Sequence, residues 1–227
     1  MPTWSVTLNG DVDDLTALVD LGVGVTQEGD AFVFRSPELD ALTEARAVRE
    51  RAVEQVAVFS GLSRIAEGDA KARAVVVGAI FRDDGSRKDT FVTPDTLELR
   101  LRGRAAHLKG PGDPPASPYG KWTALSERAP AVRLVLRLFA GEPFPVNLYR
   151  VFEVIREDAG GEDQIVKDGW TTKKRISRFR HTMNSVAALG AEARHGVKQT
   201  TPPTEPMSAS EAREFIRRLL VQWLSSK

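Results

Sequence analysis

Arginine and histidine at short spacing are the chemistry-bearing residues of this chain. The stretch KKRISRFRHTMN (173–184) carries five cationic side chains and one histidine in its first nine positions, and LGAEARHGVK (189–198) sets Arg194 beside His195 between two glycines. Imidazole exchanges protons near neutral pH, and a guanidinium holds a phosphate oxygen or stabilises charge developing on it. Paired, the two groups are the parts of metal-independent phosphodiester cleavage. The cations alone are the parts of a polyanion-binding surface. Other chemistry is scarce, because the 227 residues include three histidines and no cysteine, which removes thiol nucleophiles, disulfides and thiolate metal sites. The chain also lacks a Gly-Lys-Ser/Thr phosphate loop, a Gly-x-Gly-x-x-Gly turn and a Gly-x-Ser-x-Gly elbow, so no metal and no cofactor is expected.

The basic stretch reads as a helix over 172–188 capped by Thr171 or Thr172. Ile176, Phe179, Met183 and Val186 then fall on an inward face, while Lys174, Arg178 and His181 share another. Lys173, Lys174 and Arg175 in the first turn oppose the helix dipole, and an anion docked at the helix start would compensate them. In that reading Lys174, Arg178 and Arg180 hold nucleic-acid backbone. The alternative is a solvated face balanced by Glu162, Asp163 or Asp168 of the preceding segment.

Gly190 and Gly196 place Arg194 and His195 at an element end, within reach of a cleft, so His195 is expected to matter more than His181. The alternative for His195 is a hydrogen bond to a backbone carbonyl at a helix terminus. Glu153, flanked by Val151, Phe152, Val154 and Ile155, is placed either near a helical interior, with Arg150, Arg175 or Arg194 as cationic partner, or in solvent. Asn184 could orient a bound group by hydrogen bonding. His107 reads as structural or exposed.

These residues sit in the second of two composition regimes. Residues 1–120 carry 14 Lys+Arg against 19 Asp+Glu, and residues 121–227 carry 18 against 12, although the net charge of the whole is +1. No run approaches the roughly 20 apolar residues that cross a bilayer, and the amino terminus lacks the order of a signal peptide, so a cytoplasmic protein without a membrane partner is expected. Alternating Trp4, Val6 and Leu8, the runs AFVF (31–34) and RAVVVGAIFR (73–82), an Asp84-Gly85 hairpin loop, and alternating Leu97, Leu99 and Leu101 predict an antiparallel sheet. A long helix over 37–66, opened by Ser36-Pro37 with Leu42, Val48, Ala52, Val56 and Phe59 at helical intervals, should cover one sheet face. Residues 109–121 hold four prolines and three glycines and read as a linker or exposed loop. Helices follow at about 123–140 with Pro130 interrupting, 146–158, 172–188 and 208–225, the last with a Ser208/Glu211 capping box. The expected fold is therefore α+β, with a mixed domain over 1–108, a linker over 109–121 and a four-helix bundle over 122–227.

A basic helical domain with an arginine followed at short distance by a histidine resembles the HEPN domains, including those at the carboxyl end of abortive-infection proteins. The resemblance rests on Arg175 and His181 with five residues between them, and on Arg194-His195-Gly196 as a counterpart of the motif's His-Gly ending. Ile176 stands where that family's asparagine accompanies the arginine. For residues 121–227 the resemblance implies a bacterial phage-defence setting, a homodimer, and an RNA-cutting site in which His195 or His181 moves protons and Arg194 or Arg175 holds the scissile phosphate. The other reading of the same residues is a non-catalytic module that binds nucleic acid or an acidic protein surface through 173–181.

Overall fold

In a computed structural model, the fold is α+β, with an antiparallel sheet followed by helices. The structure describes residues 3–67, 75–92, 119–141, 145–189, 193 and 204–227. The expected strand through Leu97–Leu101, His107, most of the 109–121 segment and the Arg194-His195 pair lie outside the described residues. The chain divides into two compact units, 1–56 with 75–123, and 57–74 with 124–227.

Among the described residues, the first unit is built on a five-stranded sheet in the order β2-β3-β1-β4-β5. Its strands are β1 (Thr3–Asn9), β2 (Val25–Glu28), β3 (Ala31–Phe34), β4 (Val76–Asp83) and β5 (Lys88–Phe91). All neighbouring pairs are antiparallel. Period-two alternation in β1 buries Trp4, Val6 and Leu8 on one face, as the sequence pattern requires. The β4–β5 hairpin turns on Asp84, whose carboxylate accepts the backbone N–H groups of Ser86 and Arg87, while Gly85 takes a positive φ of 87°.

A nine-residue helix, α1 (Val12–Asp20), was not anticipated, although Asp11 caps it by accepting the Asp13 N–H. The expected helix over 37–66 is two helices, α2 (Pro37–Asp40) and α3 (Ala45–Glu67). Trp4 explains the break. Its backbone N–H donates to Asp40 Oδ1 at 2.6 Å and its indole N–H to the Leu42 carbonyl at 2.8 Å, so Leu42 serves the sheet instead of the helix ladder. Downstream, Val48 and Ala52 are fully buried, keeping the expected apolar spacing.

The second unit holds the end of α3 with α4 (Tyr119–Arg128, from Ala124 on), α5 (Pro130–Ala140), α6 (Pro145–Asp158), α7 (Glu162–Lys167), α8 (Lys173–Asn184), α9 (Val186–Leu189) and α10 (Ala209–Ser225). Pro130 opens α5 at N1 and so causes the anticipated interruption. The expected helix 172–188 stops at Asn184 because Ser185 turns extended (φ −98°, ψ 114°); Val186, beyond the stop, is exposed and not inward-facing. Helix α6 packs against α5, α8 and α10. At the centre lies Phe179 of α8, fully buried, with its ring centroid 5.1 Å from Phe215, 5.5 Å from Phe152 and 6.1 Å from Tyr149. The carboxyl end of α5 is closed by two buried arginines, Arg64 donating to the Gly141 carbonyl at 2.9 Å and Arg213 to the Phe139 carbonyl at 3.3 Å.

Helices α3 and α5 meet at Gly61, where an added Cβ would lie 2.3 Å from the Leu136 carbonyl oxygen. Backbone blocks that space and cannot swing aside. Gly61→Ala should therefore lose more to overpacking, about 1–3 kcal/mol, than the roughly 1 kcal/mol that alanine gains in helix propensity. The expected outcome is a lower urea midpoint with an unchanged slope, checked by equilibrium denaturation.

Candidate anion-binding cleft

The amino end of α8 is set by Thr172, whose hydroxyl accepts the Arg175 N–H at 3.3 Å. Ile176, Phe179 and Met183 are buried, as their spacing predicts, and they fix which way the cations of α8 point. Among the described residues those cations divide into two sets with different surroundings.

The outward set is engaged within the chain. Arg178 donates from Nε to the Glu205 carbonyl at 2.6 Å, from Nη2 to the Pro206 carbonyl at 3.2 Å, and to Glu211 Oε2 at 3.2 Å. Arg180 donates to Glu162 at 2.9 Å, and Lys173 lies 3.5 Å from Asp163. Acidic residues of the preceding segment thus balance two of these charges. The Ser208 backbone N–H, and then the charges of Arg178 and Arg175, hold the Glu211 carboxyl below the usual range. Lys174 and His181 are exposed.

Arg175, also exposed, stands beside α10 instead. Trp170, Thr171, Thr172 and Arg175 line one side of a cleft of about 280 Å³, and Arg217, Arg218, Val221 and Gln222 line the other. Arg175 also lies over the Phe215 ring, 5.8 Å from its centroid. Behind the cleft, Glu214 holds the other two arginines: it accepts Arg217 Nε at 2.6 Å, Arg217 Nη2 at 3.0 Å and Arg218 Nε at 2.6 Å. Arg217 Nη1 continues to the Ile65 carbonyl at 3.1 Å. Bonding to Arg217 first, and to Arg218, against the opposing effect of burial, brings the Glu214 carboxyl down to about 2.

Of the candidate catalytic pair on α8, Arg175 lines this cleft and His181 does not. Their separation corresponds to about 600° of helical rotation, so they leave the helix about 120° apart. Asn184 donates from Nδ2 to the Arg180 carbonyl at 2.9 Å, which is local to the helix. Glu153 is half-buried on α6. Among the described residues there is no group of three or more His, Asp or Glu side chains able to hold a metal ion, and no helix is long and apolar enough to cross a membrane.

In sequence, the apolar face of α10 is the signal, and Arg217-Arg218, two adjacent cations between Ile216 and Leu219, form no motif. Nor does Trp170, in the GWTT stretch before the basic helix. A comparison with protein-family models, curated proteins and solved structures finds no match to this chain.

Glu214 gives the cleft a pH signature. A carboxyl whose folded-state pKa is depressed stabilises the fold above its unfolded value, and that contribution disappears as pH falls through the folded value. Here the window runs from the ordinary 4.5 down to about 2. Glu214→Gln should cost stability at pH 6, and the difference from the unsubstituted protein should narrow steadily through pH 4 and pH 3. Denaturation curves at those pH values check it; a gap that stays constant on acidification would contradict the assignment.

Proposed function

We propose that the second unit is a binding module for phosphate-bearing nucleic acid, with its contact site in the cleft between the amino end of α8 and α10. One observation carries this reading: Arg175, Arg217 and Arg218 converge on a single cleft together with Trp170. Guanidinium groups match phosphate oxygens in pairs, the first-turn N–H groups of a helix add a partial positive charge, and an indole offers a face on which a base stacks. The reading favours single-stranded RNA or DNA over a duplex, because stacking on Trp170 requires an unpaired base. It centres the contact site on Arg175 and α10 and not on Arg178 and Arg180, which do not line the cleft and are bonded to Glu211, Glu162 and two carbonyls outside it.

RNA cleavage of the HEPN-like kind is the second reading. What favours it is the exposure of His181 on the helix that also supplies Arg175. With the two side chains leaving α8 in different directions, a site that combines them draws the histidine from a second copy of the chain, in keeping with the homodimer the resemblance implies. Arg194 and His195 would supply the alternative pair.

Fluorescence anisotropy with a labelled single-stranded RNA tests the binding reading. Affinity should fall steeply with salt; Arg175→Ala and Arg218→Ala should each weaken binding about tenfold or more and flatten the salt slope by about one unit. The exposed Arg46→Ala should change neither, and Trp170 fluorescence should quench on binding. Binding that is independent of salt and insensitive to Arg175 and Arg218 would contradict the proposal. Incubation of the same RNA in excess chelator tests the second reading: 2′,3′-cyclic phosphate ends, lost in His181→Ala or His195→Ala, would establish cleavage, and intact RNA would leave binding alone.

A further inference from the structure

A phosphate at the end of a strand and one within it present charge differently. An internal phosphodiester carries one negative charge, and successive ones are strung out along the backbone; a terminal monoester concentrates about −1.5 to −2 on three oxygens at one point. A protein that tracks internal phosphates needs cations in a row. On α8 such a row exists in sequence, but in the structure Lys173, Arg178 and Arg180 are taken up by Asp163, by Glu211 with two carbonyls, and by Glu162. The cations that line a common space are clustered, with Arg175 on one wall and Arg217 and Arg218, both bonded to Glu214, on the other.

Resting on the binding reading above, we propose that the cleft takes a terminal phosphate, the 5′-phosphate of a single-stranded nucleic acid, with Trp170 beside the first base. Glu214 sets the charge and the geometry. Its carboxylate neutralises one of the three guanidinium charges, leaving a net of about two to meet a phosphate dianion. It also holds Arg217 through Nε and Nη2, and Arg218 through Nε. Arg218 is the more exposed of the two, with 64% of its side chain accessible against 27% for Arg217, so it is the arm more open to a ligand. Thr171 and Thr172 add hydroxyl groups at the lip.

The experiment compares one RNA sequence with a 5′-phosphate and with a 5′-hydroxyl, using the full chain. The phosphorylated strand should bind at least about tenfold tighter, from two charge-assisted contacts that its partner lacks, and inorganic pyrophosphate should compete. Arg218→Ala should bring the ratio close to one, whereas Arg46→Ala should leave it intact. Equal affinity for the two ends, with salt-dependent binding still lost in Arg175→Ala, would overturn the end-recognition proposal and leave the nucleic-acid reading standing. No binding of either strand would overturn both. A phosphothreonine peptide bound as tightly as the phosphorylated RNA would overturn the assignment to nucleic acid.

Discussion

The second unit depends on the burial of Phe179. Its ring touches Tyr149 and Phe152 of α6 and Phe215 of α10, so one side chain of α8 ties together three helices. Removing a ring of this size from a sealed core costs about 3–5 kcal/mol, a large part of the stability of an ordinary domain. The rotation of α8 follows from that anchor: with Phe179, Ile176 and Met183 inward, Arg175 is brought against Phe215 and the cleft, while Arg178 and Arg180 are sent to their carboxylates. A hydrophobic constraint thereby decides which cation of α8 lines the cleft.

Charge pairing completes the selection. A helix carrying five cations would bind any polyanion if all of them were open. Glu162, Asp163 and Glu211 reduce the outward field, and Glu214 keeps two arginines of α10 in fixed positions without cancelling the cleft. The exposed pairs contribute little to stability, because solvent screens them. Their effect is on where positive potential remains.

Much of the fold was legible in sequence because it rests on periodicity. The alternation of Trp4, Val6 and Leu8, the Thr172 and Ser208 caps and the apolar face of α10 are local patterns, and the structure carries each of them. What local pattern missed was set by distant contacts: the α2–α3 break is made by Trp4 of β1 bonding Asp40 and Leu42, which no helical count over 37–66 reveals. The candidate site was half legible. Arg175 was visible as a first-turn cation that opposes its helix dipole, but Arg217, Arg218 and Trp170 join it only through the packing of α8 against α10, and Arg217-Arg218 on their own look like the solvated side of an amphipathic helix.

In the proposed binding mode, three guanidinium groups act on a phosphate as one site. NMR observation of the arginine Nε–H and tryptophan indole N–H resonances during titration with inorganic pyrophosphate addresses it most directly. Arg175, Arg217, Arg218 and Trp170 should shift together along one saturable curve, while Arg178 and Arg180 stay in place. Shifts centred on Arg178 and Arg180, or small unsaturable shifts spread evenly over every arginine, would contradict it.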